Sequence, residues 1–63
     1  MIDIKDIQVG EVLYWQYIDE KIYESWLILR GGIDEDNYWL FNLETSQRVN
    51  YTFTNNCFIH WNR

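Results

Sequence analysis

Apolar residues recur at every second position through most of this chain. That is the period of a β-strand, not the roughly 3.6-residue period of a helix. The segment 48–54 shows it most clearly: Val49, Tyr51 and Phe53 alternate with Arg48, Asn50, Thr52 and Thr54. The first set therefore faces a core and the second faces water. The same reading predicts strands over 12–18, 23–30, 38–43 and 57–61. Polar clusters punctuate them. Asp19-Glu20-Lys21, Asp34-Glu35-Asp36-Asn37 and Glu44-Thr45-Ser46-Gln47 read as turns or loops. Gly31-Gly32 closes the second strand, because paired glycines tolerate backbone angles that other residues avoid. Asn55-Asn56 suits a two-residue turn, since asparagine accepts positive φ. Residues 1–9 read as an irregular lead-in ended by Gly10, with a single 3₁₀ turn placed within 2–9.

Five short strands at this spacing predict an all-β domain over 1–63. Its form is a small five-stranded barrel or a strongly bent antiparallel sheet. The run Ile7-Gln8-Val9-Gly10-Glu11-Val12-Leu13, the hairpin Leu43-Glu44-Thr45-Ser46-Gln47-Arg48 and the short terminal strand resemble the SH3-like small barrels. The resemblance covers about residues 7–61 and is architectural. It implies the barrel fold and leaves function open, because members of that group bind ligands of several classes. The signature of the proline-peptide binders is absent, as are the basic loops of the ribosomal and transcription-factor relatives. The general character (small, acidic, rich in aromatics, Asn and Ile) also resembles small phage-encoded proteins that bind one host protein.

Strands one to three carry apolar residues on both faces. Leu13, Trp15 and Tyr17 alternate with Val12, Tyr14 and Ile18; Trp26 and Ile28 alternate with Leu27 and Leu29; Trp39, Phe41 and Leu43 alternate with Tyr38 and Leu40. Only one face of a sheet wall can point into a core. Either bent strands and the lead-in cover the second face, or an aromatic patch remains for a partner or a second copy. Tyr14, Trp15, Trp26 and Tyr38 are the candidate contact residues, since Tyr and Trp dominate binding surfaces.

Composition narrows the field further. The chain has 63 residues, so it buries only about 60% of its unfolded surface and relies on its twelve aromatic side chains for stability. One cysteine makes no internal disulfide and fits a reducing, cytoplasmic setting. No apolar run is long enough for a helical membrane span, and no basic-then-apolar leader opens the sequence. The net charge of −5 disfavours nucleic-acid backbone as a partner. In an up-and-down order the lead-in and the loop after strand two share one end. That end gathers Asp3, Asp6, Glu11, Asp34, Glu35 and Asp36 against Lys5 and Arg30. The other end holds Asp19, Glu20, Glu24 and Glu44 against Lys21, Arg48 and Arg63. Glu11, Asp34, Glu35 and Asp36 thus become candidates for docking a basic protein.

The chemistry of catalysis finds little support. Cys57 and His60, three apart in a strand, fall on opposite faces and form no nucleophile–base pair. One His and one Cys make no zinc site, and Asp34-Glu35-Asp36-Asn37 lacks the glycine and distal glutamate of a calcium loop. No phosphate-binding glycine loop occurs. The expectation is a non-enzymatic protein-interaction module without cofactor or metal. The alternatives are a self-assembling subunit and a small-ligand binder. The last would use rings from Tyr14, Trp15, Tyr38 and Trp39 as a cage for a cation such as a methylated lysine.

Overall fold

Leu13, Ile28 and Leu40 settle which face of the first three strands is buried, since each is essentially inaccessible to solvent. The structure, a computed structural model, describes residues 4–17, 21–54 and 60–63. A 3₁₀ turn at Ile4–Asp6 leads into β1 (Val12–Gln16), β2 (Tyr23–Gly31), β3 (Asn37–Asn42), β4 (Arg48–Thr52) and β5 (Trp61–Asn62). The strands form one antiparallel sheet in the order β4-β3-β2-β1-β5. This is the all-β sheet that the period-two pattern predicts, compatible with an SH3-like fold. It is the bent sheet of the two expected forms, since no backbone ladder joins β4 to β5 and the barrel stays open.

The bend is severe. Five strands lying flat at about 4.8 Å spacing would hold the outermost pair roughly 19 Å apart. Yet the rings of Tyr51 on β4 and Trp61 on β5 lie 5.5 Å centre to centre, and the Trp61 indole N–H donates to the Tyr51 hydroxyl at 3.3 Å. Phe53, just past β4, packs against both, with centroids 4.9 Å from Tyr51 and 5.4 Å from Trp61. Ile7 from the lead-in joins Leu13, Ile28, Leu40, Phe53 and Trp61 in the core. The lead-in is tied down by a turn in which the Glu11 amide donates to the Gln8 carbonyl at 3.2 Å. Gly10 supplies the positive φ, 94°, at the third position of that turn. Its amide then donates to Ile28 O at 2.8 Å, fixing the lead-in against β2.

A bulge at Leu29 was not legible in the pattern. Ile28 pairs with Leu40, but the next paired residue, opposite Trp39, is Arg30. Strict alternation from Ile28 would turn Arg30 into the core. The extra residue turns it outward, where its guanidinium lies 5.6 Å from the centre of the Trp39 ring. The paired glycines also act differently from expectation. Neither Gly31 nor Gly32 has positive φ; Gly31 belongs to β2, and a Cβ on Gly32 would overlap the Asn37 side chain. Close approach, not backbone angle, demands glycine there. Buried Asn37 in turn exchanges reciprocal amide hydrogen bonds with Asn50, at 2.7 and 2.8 Å, and donates to Thr52 Oγ1 at 2.9 Å. At the hairpin, buried Asn42 accepts the amides of Glu44 and Thr45 at its Oδ1, at 2.9 and 3.0 Å.

Candidate functional site

The inner face of the sheet has two halves. Ile7 and Phe53 fill one. The other is an aromatic cup of about 140 Å³, walled by Trp15, Tyr17, Glu24, Trp26, Tyr51 and Trp61 and floored by Leu40 and Val49. The register explains the assembly. Trp15 pairs with Glu24 on β2 and with Trp61 on β5; Leu13 pairs with Trp26, one step along the same face. Tyr17 continues the parity of Trp15 past the end of β1. Curvature then brings Tyr51 across from β4.

The rings brace one another. Trp15 meets Trp61 edge-on at 5.2 Å and Tyr17 edge-on at 5.9 Å. His60 stacks on Trp15 at 4.4 Å with 28° between planes, and its Nδ1 lies 3.0 Å from Gln16 O. A carbonyl only accepts, so this bond places a proton on Nδ1. The Gln16 amide returns a bond to His60 O at 3.0 Å, clamping β1 to β5 beside the cup. Such packing holds the rings of Trp15, Tyr17, Tyr51 and Trp61 at low rotational freedom. Half-exposed Tyr17 forms an open rim, and Glu24 is the one charged group of the lining. The Glu24 carboxylate makes no hydrogen bond or ion pair with any described residue.

The residues singled out from the sequence do not converge on one surface. Trp15 and Trp26 stand in the cup. Tyr38 shares their face but lies in the other half, edge-on to Phe53 at 5.9 Å. Exposed Tyr14 is on the opposite face, next to Ser25 and Asn62. The cage expected from Tyr14, Trp15, Tyr38 and Trp39 does not form, because neighbours along a strand point to opposite faces. Tyr17, Glu24, Tyr51 and Trp61 are the cup residues that the sequence reading missed. Their shared parity with Leu13 and Ile28 was the available signal, unusable until the inner face was known.

The acidic end is partly neutralised. Asp34 and Glu35 are exposed and Asp36 half-exposed, while Glu11 accepts from Arg63 Nε at 3.2 Å and from the Gln8 amide at 2.7 Å. Arg63 had been placed at the far end. Because β5 runs antiparallel to β1, it returns to the start of β1 and also donates to Asp6 O at 2.7 Å. The negative excess there falls by one charge. Cys57 lies outside the described residues. Among the described residues no group of three His, Cys, Asp or Glu side chains gathers as metal ligands, and no helix is long and apolar enough to cross a membrane.

The outer face keeps a second apolar area. Val12, Leu27 and Phe41 form one cross-strand row, and Tyr14, Tyr23 and Leu43 beside it are exposed. The lead-in does not cover it, since Ile7 packs into the inner core.

Comparison with known proteins adds no relative: the chain matches no family model, and no curated protein or solved structure is significantly similar to it.

Proposed function

We propose that this chain is a non-enzymatic protein-interaction module whose docking site is the aromatic cup. One observation carries the reading. Five aromatic side chains from four strands and their flanks line one open hollow, four of them braced by ring contacts and none of its lining basic. Preformed aromatic hollows favour binding because little side-chain freedom is lost when a partner group enters. The acidic surface, with Asp34 and Glu35 exposed, supports a basic partner steered by long-range attraction. The composition supports a cytoplasmic inhibitor or adaptor of the phage-encoded kind, acting on one host protein.

The test is capture from a bacterial lysate by the immobilised protein and two surface variants. Tyr17→Ser opens the cup rim, and Tyr23→Ser alters the outer face; both positions are half-exposed, so both variants are expected to fold. One protein recovered near one-to-one, lost with Tyr17→Ser and kept with Tyr23→Ser, is the expected result. The opposite pattern moves docking to the outer face.

A second reading rests on that outer face. Exposed Tyr14, Tyr23 and Leu43 favour self-assembly, which would also stabilise so short a chain. A mass in solution that rises with concentration and falls back with Leu43→Ser is its signature.

A further inference from the structure

We infer that the cup receives a methylated ammonium group, the head of an alkylated lysine on the partner protein. This deepens the docking reading above and rests on it for the partner, but not for the chemistry of the cup. The faces of aromatic rings carry negative electrostatic potential and attract cations. Trp15, Trp26, Trp61, Tyr17 and Tyr51 surround a hollow of about 140 Å³. A cavity near 150 Å³ holds a group the size of benzene, so the space suits a compact alkylated head and not a whole side chain.

Glu24 supplies the charge complement. It stands directly across from Trp15 on the same face, half-buried, with no counter-charge among the described residues. A carboxylate beside the rings adds its own attraction for a cation to theirs. Methylation decides between ammonium types. An unmodified lysine head is compact and strongly hydrated, and its three N–H donors need acceptors. Of the cup's acceptors, Glu24 and the hydroxyls of Tyr17 and Tyr51, the last already accepts from Trp61, and the rest of the wall is ring and hydrocarbon. A guanidinium, with five donors, is worse matched. Each methyl removes one donor, so the trimethylated head needs no acceptor and sheds water more readily.

The experiment follows the four indole N–H signals by NMR during titration of the intact protein. The probes are tetramethylammonium chloride, its neutral isostere neopentane-like 2,2-dimethylpropanol, and the N-acetyl methylamides of trimethyl-lysine, lysine and arginine, with choline as the non-protein source. Trp39, on the outer face with Arg30, is the internal control. Tetramethylammonium and the trimethyl-lysine amide are expected to move the signals of Trp15, Trp26 and Trp61 and leave Trp39 still. Their affinity is expected to exceed that of the neutral isostere and of the lysine and arginine amides by about tenfold. Glu24→Gln is expected to weaken binding roughly threefold to tenfold while the neutral alcohol is unaffected. Equal binding of the neutral isostere overturns the inference and leaves the cup as an apolar docking site. Equal binding of the arginine amide, or shifts confined to Trp39, overturn it as well. Choline binding tighter than the trimethyl-lysine amide overturns the assignment to a protein side chain. If the ammonium probes bind but Tyr17→Ser leaves lysate capture intact, the docking reading fails while the chemistry of the cup stands.

Discussion

Trp61 and Tyr51 sit on the two edge strands of a five-stranded sheet, yet the indole N–H of one donates to the hydroxyl of the other at 3.3 Å. No backbone hydrogen bonds join those edges, so side chains hold the sheet rolled. Trp61 is almost completely buried, and among the described residues its N–H donates to that hydroxyl. Tyr51→Phe keeps the ring contacts and deletes the acceptor. It is expected to cost about 1–2 kcal/mol in chemical denaturation. An unchanged midpoint would mean that ring packing alone sets the curvature.

The bulge at Leu29 makes a sharper test of register. Deleting Leu29 removes the extra residue, so Ile28 still pairs with Leu40 and Arg30, now next in the strand, still faces outward opposite Trp39. The deletion variant is expected to keep its cooperative unfolding transition and its native indole signals. Loss of the transition would show that the bulge itself is needed for the sheet to curve.

The two adjacent glycines should respond differently. Gly32→Ala places a methyl on the Asn37 amide and is expected to destabilise by about 1–3 kcal/mol. Gly31→Ala meets open space in an extended strand and is expected to be neutral or stabilising by up to about 1 kcal/mol. Thermal denaturation of the pair checks the order, and equal effects would contradict the close-approach explanation.

Asn37 and Asn50 form a reciprocal amide pair in which removal of Asn50 takes the donor from the buried Asn37 Oδ1, while the Asn37 amide N–H keeps Thr52 Oγ1. A double-mutant cycle with Asn37→Ala and Asn50→Ala is expected to give a coupling of about 1 kcal/mol or more. Simple additivity would indicate that each amide is satisfied elsewhere.

The ion pair of Glu11 with Arg63 is solvent-facing, with the arginine side chain 48% exposed. Arg63→Gln is therefore expected to cost no more than about 0.5 kcal/mol at low salt, and less as salt rises. A salt-insensitive loss would point to the Asp6 carbonyl contact as the part that matters.

Much of the architecture follows from the alternation. The period-two runs mark all four longer strands to within a residue or two where the chain is described, and the lead-in holds the single 3₁₀ turn expected of it. In 48–54 the inward set Val49, Tyr51 and Phe53 is the more buried, because charged and amide neighbours leave no ambiguity. In β1–β3 both faces are apolar, so parity put Tyr14 and Trp15 on opposite sides without telling which of them faces the core. The bulge at Leu29 then inverted the expected alternation for Arg30, and no turn residue announced it. The cup was hidden for a different reason. Its members come from strands far apart in sequence, and Tyr51 meets Trp61 only through a curvature that no local pattern encodes.

The docking role of the cup is the central claim, and the indole signals of the protein mixed with its captured partner test it most directly. The account expects Trp15, Trp26 and Trp61 to shift on binding while Trp39 on the outer face stays in place. A shift of Trp39 with the other three unmoved would contradict it.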